Sequence, residues 1–192
     1  MPADASDVLI VVDVQNDFCP GGALPVADGH RVVPIINLLL HWFENVVFTR
    51  DWHPSDHCSF DDDPQFVDGS WPEHCVQDTP GAEFHGDLHV GLAAPVVSKG
   101  TDPDREAYSG FDGTALHERF QAWGIRRVYV CGLATDYCVK QTALDAQRLG
   151  YETTVITDAC RGVDNPAGSV RAALDEMKAA GIALCESKEF IA

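Results

Sequence analysis

A chain of 192 residues with 13 basic and 30 acidic side chains, a formal net charge of −17, has length for one compact domain with a full core. That charge repels phosphate backbones and anionic lipid surfaces, so neither nucleic acid nor a membrane is an expected partner. Seven cysteines, an odd number with no CxxC pair, argue against a disulfide framework.

The first residues, MPADASD, carry neither the basic region nor the apolar core of a signal peptide. No apolar run approaches the roughly 20 residues needed to cross a bilayer. A soluble, cytoplasmic protein is expected, and homo-oligomerisation is left open.

Along the chain, strand-like runs alternate with helical spacing. Residues 8–14 (VLIVVDV) form a continuous apolar run of the kind buried on both faces, followed by helical periodicity over 30–43. Further strands are expected at 46–49, 95–99 (PVVSK), 128–131, 153–157 (TTVIT) and 182–185, with helices over 113–123, after 131 up to Gly150, and over 167–180. This alternation predicts a single-domain α/β fold over residues 1–192: a doubly wound, mainly parallel six-stranded sheet with helices on both faces.

The segment 50–94 breaks the alternation. It has little periodicity, is rich in Asp, His, Pro and Gly, and is too long for an ordinary connection, which marks it as a functional insertion. The run Asp61, Asp62, Asp63 within it reads as an exposed loop. Asp51, His53, His57 and His74 also lie there, and three imidazoles with a carboxylate make a plausible first shell for a divalent transition metal. Histidines gathered in a loop by chance are the competing reading.

Asp13 interrupts the first apolar run and Lys99 ends the third, where a buried charge needs a partner. A structural ion pair would account for both. Yet Asp13, Asp51, Lys99 and Cys138 all fall at or just beyond the carboxyl ends of strands one to four, the edge at which ligands bind open parallel sheets. Cys138 is expected in the first turn of its helix, where unpaired N–H groups favour an anion and should ease ionisation of the thiol; a buried, inert cysteine is the alternative. The turn DVQNDFCPGG after the first strand is not GxGxxG and places carboxylates where phosphate would sit, so dinucleotide binding is discounted.

Five stretches taken together, VDVQNDFCPGG, TRDWHPSDH, SWPEHCVQ, VVSKG and GLATDYCVKQTALDA, resemble the nicotinamidase/pyrazinamidase branch of the isochorismatase-like cysteine hydrolases over almost the whole chain. The resemblance implies Cys138 as nucleophile, Asp13 as general acid/base and Lys99 as third member of a triad. It implies one divalent metal ion, zinc, iron or manganese, on Asp51, His53, His57 and His74. A cis peptide between Leu133 and Ala134 is implied too, with an oxyanion hole from the N–H groups of Ala134 and Cys138. Phe18, Leu24, Trp71, Tyr108, Ala134 and Tyr137 match substrate-lining positions, Tyr137 standing where relatives carry His. The implied activity is hydrolysis of nicotinamide, and of pyrazinamide, through a cysteine thioester, in NAD salvage. A sister hydrolase of N-carbamoyl amidase type would share Asp13, Lys99 and Cys138 without the full metal quartet; a non-enzymatic metal-binding protein would need no such triad.

Overall fold

The computed structural model describes residues 4–191. Six strands, β1 (Asp7–Val12), β2 (Asn45–Asp51), β3 (Val96–Lys99), β4 (Arg127–Leu133), β5 (Glu152–Arg161) and β6 (Ala183–Cys185), form one sheet in the order β3-β2-β1-β4-β5-β6. Every neighbouring pair is parallel. Four α-helices connect or follow them: α1 (Val32–Leu39), α2 (Leu116–Trp123), α3 (Lys140–Arg148) and α4 (Ser169–Ala179). The order runs outward in both directions from β1 and β4. Right-handed crossovers therefore put the helices of the two halves on opposite faces.

The apolar run at the start makes β1 the central strand, buried along its whole length. Around it pack Phe48 of β2, Ile36 and Leu39 of α1 and Phe120 of α2, all essentially inaccessible to solvent. Each such side chain contributes about 1.5–3 kcal/mol by leaving water. Outside this core, Arg127 at the start of β4 clamps Asp7 at the start of β1 through two parallel bonds, Nε to Oδ1 at 2.5 Å and Nη2 to Oδ2 at 2.9 Å. Among the described residues no helix is long and apolar enough to cross a membrane.

Several element ends differ from expectation. β1 stops at Val12, not at 14, because Asp13 turns out of the strand with φ 49° and its N–H goes to the Thr49 carbonyl of β2. The helix expected over 30–43 is only Val32–Leu39, entered through a 3₁₀ turn at Gly29–Arg31. β5 runs to Arg161, four residues further than its apolar stretch suggests. The polar residues there are anchored: Asp158 accepts from the N–H and hydroxyl of Ser187. A register shift between Val130 and Gly132 lets β4 and β5 stay paired to their ends.

The insertion 50–94 contains no α-helix; beyond the end of β2 it has a 3₁₀ turn at Pro80–Ala82, a bridge of Phe84 to Gln15, and internal bridges of His53 with Val76, Phe60 with Trp71 and Val67 with Ser70. These fold it back on itself above the carboxyl edge of the sheet.

Candidate active site

Four strand ends converge. Asp51 and Lys99 are the last residues of β2 and β3 and pair directly in the parallel register. Asp13 follows β1, and Cys138 lies in a π-helical turn, Thr135–Val139, between β4 and α3. β1 and β4 are adjacent where the strand order reverses, which opens a crevice at their carboxyl ends. Gly132 permits this approach: its φ is 116°, and a Cβ there would run into the Val12 backbone. The Leu133–Ala134 peptide is cis.

Lys99 Nζ is the hub. It lies 2.8 Å from Asp13 Oδ2 and 3.3 Å from Cys138 Sγ, and also donates to Asp51. Asp13 Oδ1 is held by the Thr49 hydroxyl at 2.6 Å. Oδ2 faces the Lys99 ammonium and takes no other hydrogen bond, and the carboxylate lies within 4.8 Å of the Cys138 sulfur.

Burial pushes the Asp13 carboxyl above its ordinary range, with the Lys99 ammonium opposing. Burial alone would lower Lys99, but the Asp13 and Asp51 carboxylates override it and keep it an ammonium. Burial likewise pushes the Cys138 thiol well up, against the pull of Lys99, and the two carboxylates add to the rise. The ready ionisation expected at a helix start is thus corrected. Desolvation and two neighbouring carboxylates outweigh the few N–H groups of a five-residue turn. The resting pair is a thiol facing a carboxylate of raised basicity, arranged for proton transfer.

A small cavity of about 30 Å³ opens above Cys138. All six positions expected to line it do so: Phe18, Leu24, Trp71, Tyr108, Ala134 and Tyr137. Asp51 and His74 form part of the wall. The Trp71 indole donates to the Tyr108 hydroxyl at 3.0 Å, which donates in turn to Asp68 at 2.6 Å. Tyr137 meets the Trp71 ring edge-on, centroids 4.9 Å apart, and its hydroxyl donates to the Asn165 carbonyl at 3.3 Å. The Ala134 N–H donates to no group among the described residues, while the Ala134 carbonyl accepts from Tyr137 and Val139.

Four residues with structural roles in the site were not singled out from the sequence. Val163 lines the cavity. Gln15, fully buried, bonds the Asp51 N–H and carbonyl and the Ala82 carbonyl, fixing the end of β2. Asp136, next to the nucleophile turn, accepts from Val163 N–H and Asp164 N–H, both at 2.9 Å, and from the Ser169 hydroxyl. Glu106, half-buried, stands beside His53 and His57. Gln15 and Asp136 fall within the motifs VDVQNDFCPGG and GLATDYCVKQTALDA, whereas Val163 and Glu106 depend on tertiary neighbours alone.

The imidazoles fall into two overlapping groups of donors. Donor atoms of Asp51, His53 and His74 lie within 4.8 Å of one another, and so do those of His53, His57 and Glu106. His53 Nδ1 donates to the Gly100 carbonyl at 2.9 Å and His74 Nδ1 to the Pro72 carbonyl at 2.7 Å, which fixes each ring and leaves Nε2 for a ligand. A Cβ on Gly100 would overlap the His53 ring, so that packing requires glycine. Burial pushes His74 down to about 4, which keeps it a neutral donor. His57 differs from the other two: its Nδ1 lies 2.7 Å from the Ser59 hydroxyl, to which it donates in the tautomer that leaves Nε2, 3.2 Å from the Arg105 carbonyl, for a ligand. Neutral imidazoles with carboxylates suit a divalent first-row transition ion.

A doubly wound sheet that gathers a thiol, a carboxylate and an ammonium at its switch point, beside an imidazole–carboxylate cluster, defines an α/β protein equipped like a cysteine-dependent hydrolase. The chain belongs to the isochorismatase domain family, whose sequence pattern matches residues 7–189. The nicotinamidase of Escherichia coli (strain K12) is 43% identical over 198 residues, 92% of each chain. The pyrazinamidase of Pyrococcus horikoshii, in complex with zinc, is similar at a TM-score of 0.86 and 46% identity, over 94% of this chain and 99% of that one. PnC1 from L. infantum, in complex with nicotinate, is similar at a TM-score of 0.89 and 37% identity, over 98% and 96%.

Proposed function

We propose that the protein is a nicotinamidase, a single hydrolase domain that converts nicotinamide to nicotinate and ammonia in NAD salvage and also accepts pyrazinamide. The observation that carries this reading is the meeting of Cys138, Asp13 and Lys99 at the floor of a small aromatic cavity with Asp51 and His74 in its wall. The named relatives support the substrate class.

The carboxamide carbon is a weak electrophile, so attack needs the thiolate form. Cys138 Sγ adds to that carbon as Asp13 Oδ2 takes the thiol proton. The oxygen of the adduct becomes an anion, and the N–H groups of Ala134 and Cys138 stabilise it. As the adduct collapses the C–N bond breaks, Asp13 returns its proton to the leaving nitrogen, and ammonia departs from a nicotinoyl thioester. Water then attacks the thioester, giving one proton to Asp13; the C–S bond breaks as Asp13 returns that proton to the Cys138 sulfur, and the acid loses its other proton to water and leaves as nicotinate. Lys99 holds Asp13 in register and balances its charge throughout.

Asp51, His53, His57 and His74 would hold one divalent transition metal ion, zinc, iron or manganese, which when bound supplies an electrophilic anchor for the pyridine nitrogen. The aromatic walls stack on the ring and exclude water, so that the amide carbon is presented to sulfur. A cytoplasmic location belongs to the same reading, supported by cysteines that are all unpaired, as a reducing compartment keeps them.

The test is ammonia and nicotinate release from nicotinamide, with an N-carbamoyl amine as comparison substrate. Turnover of nicotinamide at a rate well above the comparison is expected. Turnover of the N-carbamoyl amine alone would transfer the site to a sister hydrolase.

A further inference from the structure

The carboxylate of Glu106 is not used by the chemistry above, yet it stands against two imidazoles of the metal cluster. Glu106 belongs to the short segment between β3 and α2, whereas Asp51 ends β2 and His74 lies late in the insertion. Its donor oxygen is within 4.8 Å of the donor nitrogens of His53 and His57. The carbonyl of Arg105, one residue earlier, lies 3.2 Å from His57 Nε2, which sets the segment against the same imidazole. Glu106 Oε1 accepts from the Ala107 N–H at 2.9 Å, and among the described residues Oε2 takes no hydrogen bond. A half-buried carboxylate with one oxygen unspent, facing two imidazoles, has the chemistry of a ligand.

We propose that Glu106 is a further ligand of the divalent transition metal, joining His53 and His57 to the Asp51–His53–His74 group. The inference rests on the metal-dependent reading of the site. Two carboxylates then match the double charge of the ion. The donors come from three separate stretches of chain, so metal binding ties the 100–110 segment to the insertion. His57 and Glu106 do not line the substrate cavity, whereas Asp51 and His74 do. The side of the cluster formed by Glu106 therefore serves retention of the ion, and the opposite side serves the substrate.

The test is cobalt(II) binding to full-length protein freed of metal, measured by competition with a coloured chelator and by the visible absorption of the bound ion. Glu106→Gln keeps an oxygen for the Ala107 N–H and removes the charge, and Glu106→Asp keeps the charge on a shorter arm. For Glu106→Gln, affinity should fall about 10–100-fold and the visible spectrum should change. Glu106→Asp should retain more affinity than the amide. A residue that only anchors Ala107 would give the reverse order, because Gln replaces that acceptor and Asp does not reach it as well. Wild-type affinity and an unchanged spectrum in Glu106→Gln would overturn the proposal while leaving the metal reading intact. Failure of the wild-type protein itself to bind cobalt would overturn both. If Glu106→Gln proves poorly folded, the rise in melting temperature that cobalt produces in Glu106→Asp still decides: a rise equal to wild type at every cobalt concentration counts against ligation.

Discussion

Replacing Asp13 by Asn separates a structural carboxylate from a proton carrier. Asp13 is fully buried, its Oδ1 taken by the Thr49 hydroxyl and its Oδ2 lying 2.8 Å from the Lys99 ammonium. Asn can keep the Thr49 bond but then turns an NH₂ group towards an ammonium. Breaking a buried ion pair costs about 3–5 kcal/mol, and the lower end applies because Lys99 keeps Asp51. At about 2–4 °C per kcal/mol for a chain of this size, Tm should drop by roughly 6–12 °C. The protein should remain folded at 25 °C. There the chemical effect stands alone: an amide cannot accept the thiol proton, and loss of a general base costs about 10²–10⁴-fold. The assay is single-turnover reaction of folded Asp13→Asn with nicotinamide, stopped with acid and read by mass spectrometry for the nicotinoyl adduct on Cys138. Adduct formation at the wild-type rate would remove Asp13 from the first chemical step and leave it only the Lys99 pairing.

Exhaustive chelation should raise KM for nicotinamide or abolish turnover, with recovery on adding zinc; full activity of metal-free protein would make the Asp51–His53–His74 group structural at most. Asp136→Asn should destabilise by about 1–3 kcal/mol, since a buried acceptor for three donors loses part of its capacity. Because Asp136 holds Val163 against the cavity, KM should rise more than kcat falls, and steady-state kinetics on folded protein would show an unchanged KM if the link is wrong. Phe120→Ala should cost about 3–5 kcal/mol in denaturant unfolding while sparing activity per folded molecule, for it lies on the buried side of α2 against Phe111 and Tyr151, away from the site.

The alternation of apolar runs with helical spacing was enough to anticipate six strands and a doubly wound sheet, because parallel strands buried on both faces have little freedom in composition. The chemistry-bearing residues were legible for a related reason. Asp13, Asp51, Lys99 and Cys138 are polar or reactive groups at the ends of apolar runs, and topology alone brings such ends to one edge. The exact stops were not legible. β1 ends where Asp13 turns to meet Thr49, and β5 continues through residues whose polar groups are satisfied by Ser187, both contacts distant in sequence. The acidity of Cys138 was misjudged from its local position, since burial and the carboxylates at the ends of β1 and β2 outweigh the turn and the Lys99 ammonium. Gln15, Glu106 and Asp136 act through partners from other stretches of the chain, a relation no periodicity records. Asp51, His53, His57 and His74 could be gathered from spacing and residue type, whereas Glu106, which the fold sets beside His53 and His57, lies outside any such pattern.

The central claim is that the Cys138 thiol performs the chemistry. It is tested most directly by measuring ammonia release from nicotinamide by Cys138→Ala protein whose melting temperature and metal content match the wild type. Removing one buried sulfur leaves the Asp13–Lys99–Asp51 pairing in place, so the fold should persist while turnover falls to background and no covalent nicotinoyl adduct forms. Turnover retained within a few-fold of wild type would contradict a thioester mechanism at this site.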